Sequence, residues 1–130
     1  MMTQPTDSEL QILRVLWEKG PSSVRGVNER LTAVTRMPIG YTTTLKLMQI
    51  MHEKELLGRD TSQRSHIYRP LVERDDVEGG LLRKLADSAY GGSATRLALR
   101  ALGEAESTSA EELEELRRLI DRLEKDNSHE

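Results

Sequence analysis

Between Tyr41 and Lys54 the chain offers one arrangement with few alternatives. Thr44, Leu47, Met48 and Met51 recur at i, i+3, i+4 and i+7, the spacing of one face of an α-helix. Thr42, Thr43, Lys46, Gln49 and Glu53 fall on the opposite side. The inner face must pack on a core. The outer face carries hydroxyl, ammonium and amide groups close to the start of the helix. Such groups bond to base edges and phosphates when a helix lies in a major groove. A polar outer face is also what any amphipathic helix shows to water, so the flanking sequence has to decide.

Upstream, Thr6 and Glu9 have the spacing of a capping box, and Asp7 is an equally good N-cap. Leu10, Leu13, Leu16 and Trp17 then mark an apolar face that Ile12 and Val15 widen, and Gly20-Pro21 ends the helix. Ser22 or Ser23 caps a second helix with Val24, Val27 and Leu31 inward, running to about Val34. Pro38 and Gly40 mark residues 35–40 as a turn. The helix beginning at Tyr41 is expected to run to about Leu57. Downstream the pattern changes to two short strands, Leu57–Thr61 and Ser65–Arg69, joined by Ser62-Gln63-Arg64 and closed by Pro70. Three helices followed by a hairpin make a winged helix-turn-helix, with the third helix placed to enter a groove and Arg64 at the tip of the wing.

The remainder is helical. Asp75 or Asp76 can cap a helix carrying Val77, Leu81, Leu82, Leu85, Ala89 and Tyr90, with Gly79-Gly80 as a kink or a late start and Gly91-Gly92 as its end. Ser93 caps a short helix with Leu97, Ala98, Leu99 and Leu102. Ser109 and Glu112 form a second capping box, after which Leu113, Leu116, Ile120 and Leu123 follow at spacings of three, four and three, an a/d seam. Three such helices are too small to bury their own stripes. They fold back on the first domain or pair with a second copy. The second option is favoured, because two-fold dimers are the commonest assembly and paired recognition helices read palindromic DNA. The polar tail from Asp126 to Glu130 is expected to fray.

Composition narrows the function. The chain has no Cys, and its three His, at 52, 66 and 129, share no metal-binding spacing. No cofactor is expected, and no clustered nucleophile or Gly-rich phosphate loop suggests an enzyme. No apolar run is long enough to span a membrane and no leader is visible, so a cytoplasmic protein is expected. The net charge of −3 is unevenly spread. Residues 1–70 carry +3 and residues 71–130 carry −6. A basic half joined to an acidic one points to a nucleic-acid partner for the first.

Several segments resemble the penicillinase and methicillin-resistance repressors (the BlaI/MecI type). They are residues 6–12, residues 15–21, Val24-Arg25, Tyr41-Thr42-Thr43, residues 68–72, Gly91-Gly92-Ser93 and residues 109–116. The resemblance spans Thr6 to Leu123. It implies a winged helix-turn-helix DNA-binding domain over 6–72 and a C-terminal helical dimerisation domain over 73–126. It also implies repression by binding operator DNA, with release when a membrane sensor-protease cuts the repressor. This chain departs from the family in several places. Glu55 stands where Gly usually ends the third helix, Gln63 where the wing tip has Gly, and Ile50 where Arg is common. The Cys-x-Cys motif of the copper-responsive branch is absent, and Arg100-Ala101 occupies the family's Asn-Phe cleavage bond.

The reading that results is a mainly α protein with a small β-hairpin wing, binding palindromic operator DNA as a homodimer. Thr42, Thr43, Lys46 and Gln49 are the groove candidates, and Arg25 and Arg64 the phosphate candidates. Tyr41 packs at the helix start with the DNA backbone in reach. Leu81, Leu85, Leu97, Leu102, Leu113, Leu116, Ile120 and Leu123 are the dimerisation candidates. The rival reading is a winged-helix module that binds protein instead of DNA.

Overall fold

The computed structural model describes residues 4–128, and in these the chain forms six helices and three short strands. Its compact units divide between Leu85 and Ala86, within the fourth helix.

Helix α1 (Asp7–Lys19) starts on a complete capping box. Thr6 Oγ1 accepts from the Glu9 amide at 3.2 Å, and Glu9 Oε1 accepts from the Thr6 amide at 2.9 Å. Gly20, at φ +85°, ends the helix in a backbone region that favours glycine. Ile12, Leu13, Val15 and Leu16 are buried while Leu10 is only half-buried. The centre of the apolar face is thus rotated from the expected one, because α1 meets helices α2 and α3 and strand β3 at once. Helix α2 (Val24–Thr35) is capped by Ser23, whose Oγ accepts from the Gly26 amide at 3.1 Å, and it buries Val24, Val27 and Leu31.

Helix α3 (Tyr41–Glu53) buries Thr44, Met48 and Met51, and leaves Leu47 half-buried at the edge of the same face. It ends four residues before the expected Leu57. The Leu56 amide donates to Met51 O at 2.9 Å and the Glu55 amide to His52 O at 3.1 Å, with Glu55 at φ +64°. This is a Schellman motif with a glutamate in the left-handed position that glycine normally takes. Leu56 and Leu57 are therefore not helical but turn inward, and both are buried.

The sheet has three strands where a two-stranded hairpin was expected. Strand β1 (Ser22–Ser23) pairs antiparallel with β3 (Ile67–Pro70), which pairs antiparallel with β2 (Leu57–Asp60), giving the order β1-β3-β2. The two-residue strand just before α2 has no apolar alternation, which is why its sequence reads only as a cap. The strands of the hairpin are also shorter than expected, so the wing loop covers residues 61–66 instead of 62–64. Pro70 ends β3 in register with Leu57.

One core joins these elements: Ile12, Leu13, Leu16, Val27, Met48, Met51, Leu56, Leu57 and Tyr68 are at most 2 % exposed. Burying a side chain of this size stabilises the fold by about 1.5–3 kcal/mol. Two polar contacts close its edges. Trp17 Nε1 donates to Val72 O at 3.1 Å, and Lys54 Nζ contacts Glu9 Oε2 at 2.8 Å. Glu9 therefore serves the α1 cap through one oxygen and the end of α3 through the other. Burial alone would raise its carboxyl pKa, but the Lys54 ammonium and the Thr6 amide together hold it below the ordinary value.

Helix α4 (Arg74–Ala89) begins one residue before Asp75, so Asp75 and Asp76 lie in its first turn and not at the N-cap position expected for them. It runs through Gly79 and Gly80 as one helix, without the late start expected there. A Cβ at Gly80 would lie 2.6 Å from Gln4 Nε2, so the missing side chain admits Gln4 against the helix. Gly91 and Gly92, both at positive φ, end α4. Helix α5 (Ala94–Glu104) is capped by Ser93, and α6 (Ala110–Ser128) by the Ser109–Glu112 box. The last helix is not frayed from Asp126, since it continues to Ser128; the rest of the expected tail, His129 and Glu130, lies outside the described residues.

Candidate nucleic-acid interface

The third helix presents two flanks around an exposed ridge, and the site residues expected from sequence divide between them. On one flank, Thr42, Thr43 and Lys46 lie beside Ser8 of α1, with Leu47 and Ile50 forming the apolar floor. On the other, Tyr41, Leu45 and Gln49 face a cleft of about 440 Å³ between α3, the start of α2 and the wing. Arg25 enters this cleft from α2, and Arg64 and His66 enter it from the wing loop. Thr42, Thr43, Lys46 and Gln49 are all exposed, as is Tyr41, which is 48 % accessible and contributes to the cleft wall more than to the core.

The cleft also contains Arg59, which sequence reasoning missed. The signal was available in the two-residue period of a strand. Leu57 points into the core, so Arg59 projects to the same face, opposite Tyr68 in register. Arg69 lies on the other face, across Gly58. A Cβ at Gly58 would sit 3.1 Å from both Arg69 Cζ and Leu71 Cδ2. Gly58 is thus the residue that lets the Arg69 guanidinium cross the strand.

Electrostatically the cleft is one-signed. It is lined by three guanidinium groups, Arg25, Arg59 and Arg64, and by no carboxylate. Among the described residues, none of these arginines, nor Lys46, forms an ion pair within the chain. Exposed cations without internal partners on a concave surface concentrate positive potential there. The wing loop is held at its root by Asp60, whose Oδ1 accepts from the Ser62 amide at 2.9 Å. That backbone bond, together with the Ser62 side chain and the Arg69 charge, keeps the exposed Asp60 carboxyl below its ordinary pKa. Gln63 does not adopt positive φ, so the wing turns without needing glycine at that position.

The dimerisation candidates are placed unevenly. Leu85, Leu102, Leu113, Ile120 and Leu123 are between 40 and 51 % exposed, and Leu81 and Leu116 are half-buried. Leu97 is instead buried within the single chain, at 8 %. Leu119, not singled out from the seam spacing, is as exposed as Leu113. Arg100 and Ala101 lie in the regular helix α5, both exposed, with Arg100 Nε 2.8 Å from Glu104 Oε1. Among the described residues no cluster of His, Asp or Glu could hold a metal, and no helix is long and apolar enough to cross a membrane.

Comparison with known proteins gives two consistent findings. The family model of the penicillinase repressor matches residues 5–122. The chain is 31 % identical over 124 residues to a "Transcriptional regulator BlaI" of Mycobacterium tuberculosis, covering 95 % of this chain and 87 % of that protein, with the same values in two strains.

Proposed function

The chain belongs to the penicillinase repressor family, and from that premise we propose that it is a homodimeric repressor that binds palindromic operator DNA. The family is one of transcriptional repressors and not of enzymes. The observation that carries the proposal is the carboxylate-free cleft with Arg25, Arg59 and Arg64, set beside the exposed polar face of α3, in a chain whose overall charge is −3. A protein that is acidic overall yet gathers unpaired cations around one exposed helix is suited to a polyanion at that place.

In this reading α3 enters the major groove. Thr42, Thr43 and Gln49 hydrogen-bond to base edges, and Lys46 reaches a guanine or a phosphate. Arg25, Arg59 and Arg64 hold phosphates on the cleft side of α3, with Tyr41 at the backbone. Leu113, Leu116, Ile120 and Leu123 meet their counterparts in a second copy, supported by Leu81, Leu85 and Leu102, while Leu97 stays inside its own chain. Residues 6–72 then act as the DNA-binding part and 73–126 as the dimerisation part. Release needs only the loss of the dimer, because the second half-site binds at high effective concentration. Cutting by a membrane sensor-protease near Arg100-Ala101, or a ligand or modification without cutting, would each achieve it. A cut at an Asn-Phe bond would not occur, since the chain has no Phe.

The test is genome-wide mapping of bound DNA, followed by titration of the mapped duplex at several salt concentrations. A palindromic motif and a steep fall of affinity with salt are expected. Binding that ignores salt and sequence would favour the protein-interaction module instead.

A further inference from the structure

The start of α3 is held by an unusual route. Its N-cap is Gly40, which has no side chain to offer, and no side-chain hydrogen bond caps the helix. The first turn carries no acidic residue either. Yet this turn bears Tyr41, Thr42 and Thr43. What grips it is Asn28 of α2, whose Nδ2 donates to Ile39 O at 2.8 Å and to Thr44 Oγ1 at 3.0 Å. A carbonyl only accepts, so the atom facing Ile39 O must be the amide nitrogen, and its two hydrogens serve the two bonds. Thr44 is completely buried, so its hydroxyl has no water to turn to. The two bonds straddle the junction: Ile39 lies just before the N-cap and Thr44 one turn inside the helix.

We propose that Asn28 is a positioning residue that fixes the depth and rotation of the recognition helix, and so governs base discrimination without touching DNA. Base-edge contacts depend on sub-ångström placement, whereas the flexible arginines of the cleft follow phosphates through small shifts. Loosening the clamp should therefore erode specificity before it erodes non-specific affinity. The proposal rests on the operator-binding reading above.

The experiment compares the full-length wild type, Asn28→Ala, and the double variant Asn28→Leu/Thr44→Val. The double variant replaces the Asn28–Thr44 pair with apolar groups of similar shape, so the Ile39 carbonyl alone loses its partner. Two readouts are taken. Amide exchange in the free protein should be about tenfold faster in Asn28→Ala at Thr44 and Leu45, the first amides of α3 with an acceptor in the helix, with Met51 far less affected. The double variant should unfold at a higher temperature than Asn28→Ala, which also orphans the buried Thr44 hydroxyl, while the ratio of affinities for the mapped operator and a single-mismatch duplex narrows about tenfold at an unchanged salt slope. A folded double variant with wild-type discrimination would overturn the proposal, as would uniform exchange across α3. If the wild type bound no duplex while the exchange difference held, the operator reading and its consequence for discrimination would fall. The clamp itself would stand.

Discussion

Helices α3 and α6 are both amphipathic, but the chain treats their apolar faces differently. In α3, Met48 and Met51 are fully buried. In α6 no residue is buried, and Leu113, Leu119, Ile120 and Leu123 are 40–51 % exposed. Helix α3 is surrounded by α1, α2 and β2, whereas α6 leaves these apolar side chains partly exposed. The contrast separates a core closed within the first unit from an apolar face left exposed. Helical stability in water comes chiefly from packing of the apolar face, so the C-terminal part should depend on a second copy in a way that the first unit does not.

The most drastic way to break this comparison is truncation before Ser109. The shortened chain should keep a folded winged helix and become largely monomeric, as light scattering would report; an undiminished dimer would count against the seam. Next in size is a pair of core and seam variants. Met48→Ala should destabilise by about 2–5 kcal/mol at any protein concentration. Ile120→Ala should lower the melting temperature mainly at low concentration, where the dimer dissociates. Melting curves across a concentration series distinguish the two, and equal concentration dependence would erase the contrast.

Smaller effects sharpen the account of the first unit. Glu9→Gln should destabilise by about 1–2 kcal/mol near neutral pH, a modest loss because solvent at the partly exposed Lys54 screens the pair. The pH dependence has a definite sign. The folded carboxyl titrates below its ordinary value of 4.5, so its contribution is complete above that pH and is lost as pH falls through the depressed folded value. The variant should therefore lose less stability on acidification than wild type, which parallel urea titrations would show. The smallest effect is a gain: Glu55→Gly should stabilise by about 0.5–1 kcal/mol by relieving the left-handed φ. A loss on that substitution would mean that the Glu55 side chain contributes more than its strain.

Much of the molecule was legible from short-range chemistry. The Thr6–Glu9 and Ser109–Glu112 boxes, the Ser23 and Ser93 caps and the polar face of α3 all depend on residues at most four apart. The same spacing rules identified the seam of α6, though not the place of Leu97. The end of α3 was misread because Leu56 and Leu57 continue the apolar character while the chain turns at Glu55. Nothing in a glutamate announces the left-handed conformation that a glycine would have signalled.

The sequence by itself determined where most of the helices start, roughly which faces are apolar, that the first half is basic, and that neither thiol nor metal chemistry by Cys is open to the chain. Only the tertiary structure decided which groups meet. It added β1 to the sheet, set Arg59 in the cleft with Arg25 and Arg64, paired Glu9 with Lys54, and bound Asn28 to Thr44. The reason is one of range. Caps and periodicity are settled within a turn of chain, whereas these pairings join residues 16 to 46 positions apart, and they exist only after the core has brought the elements together.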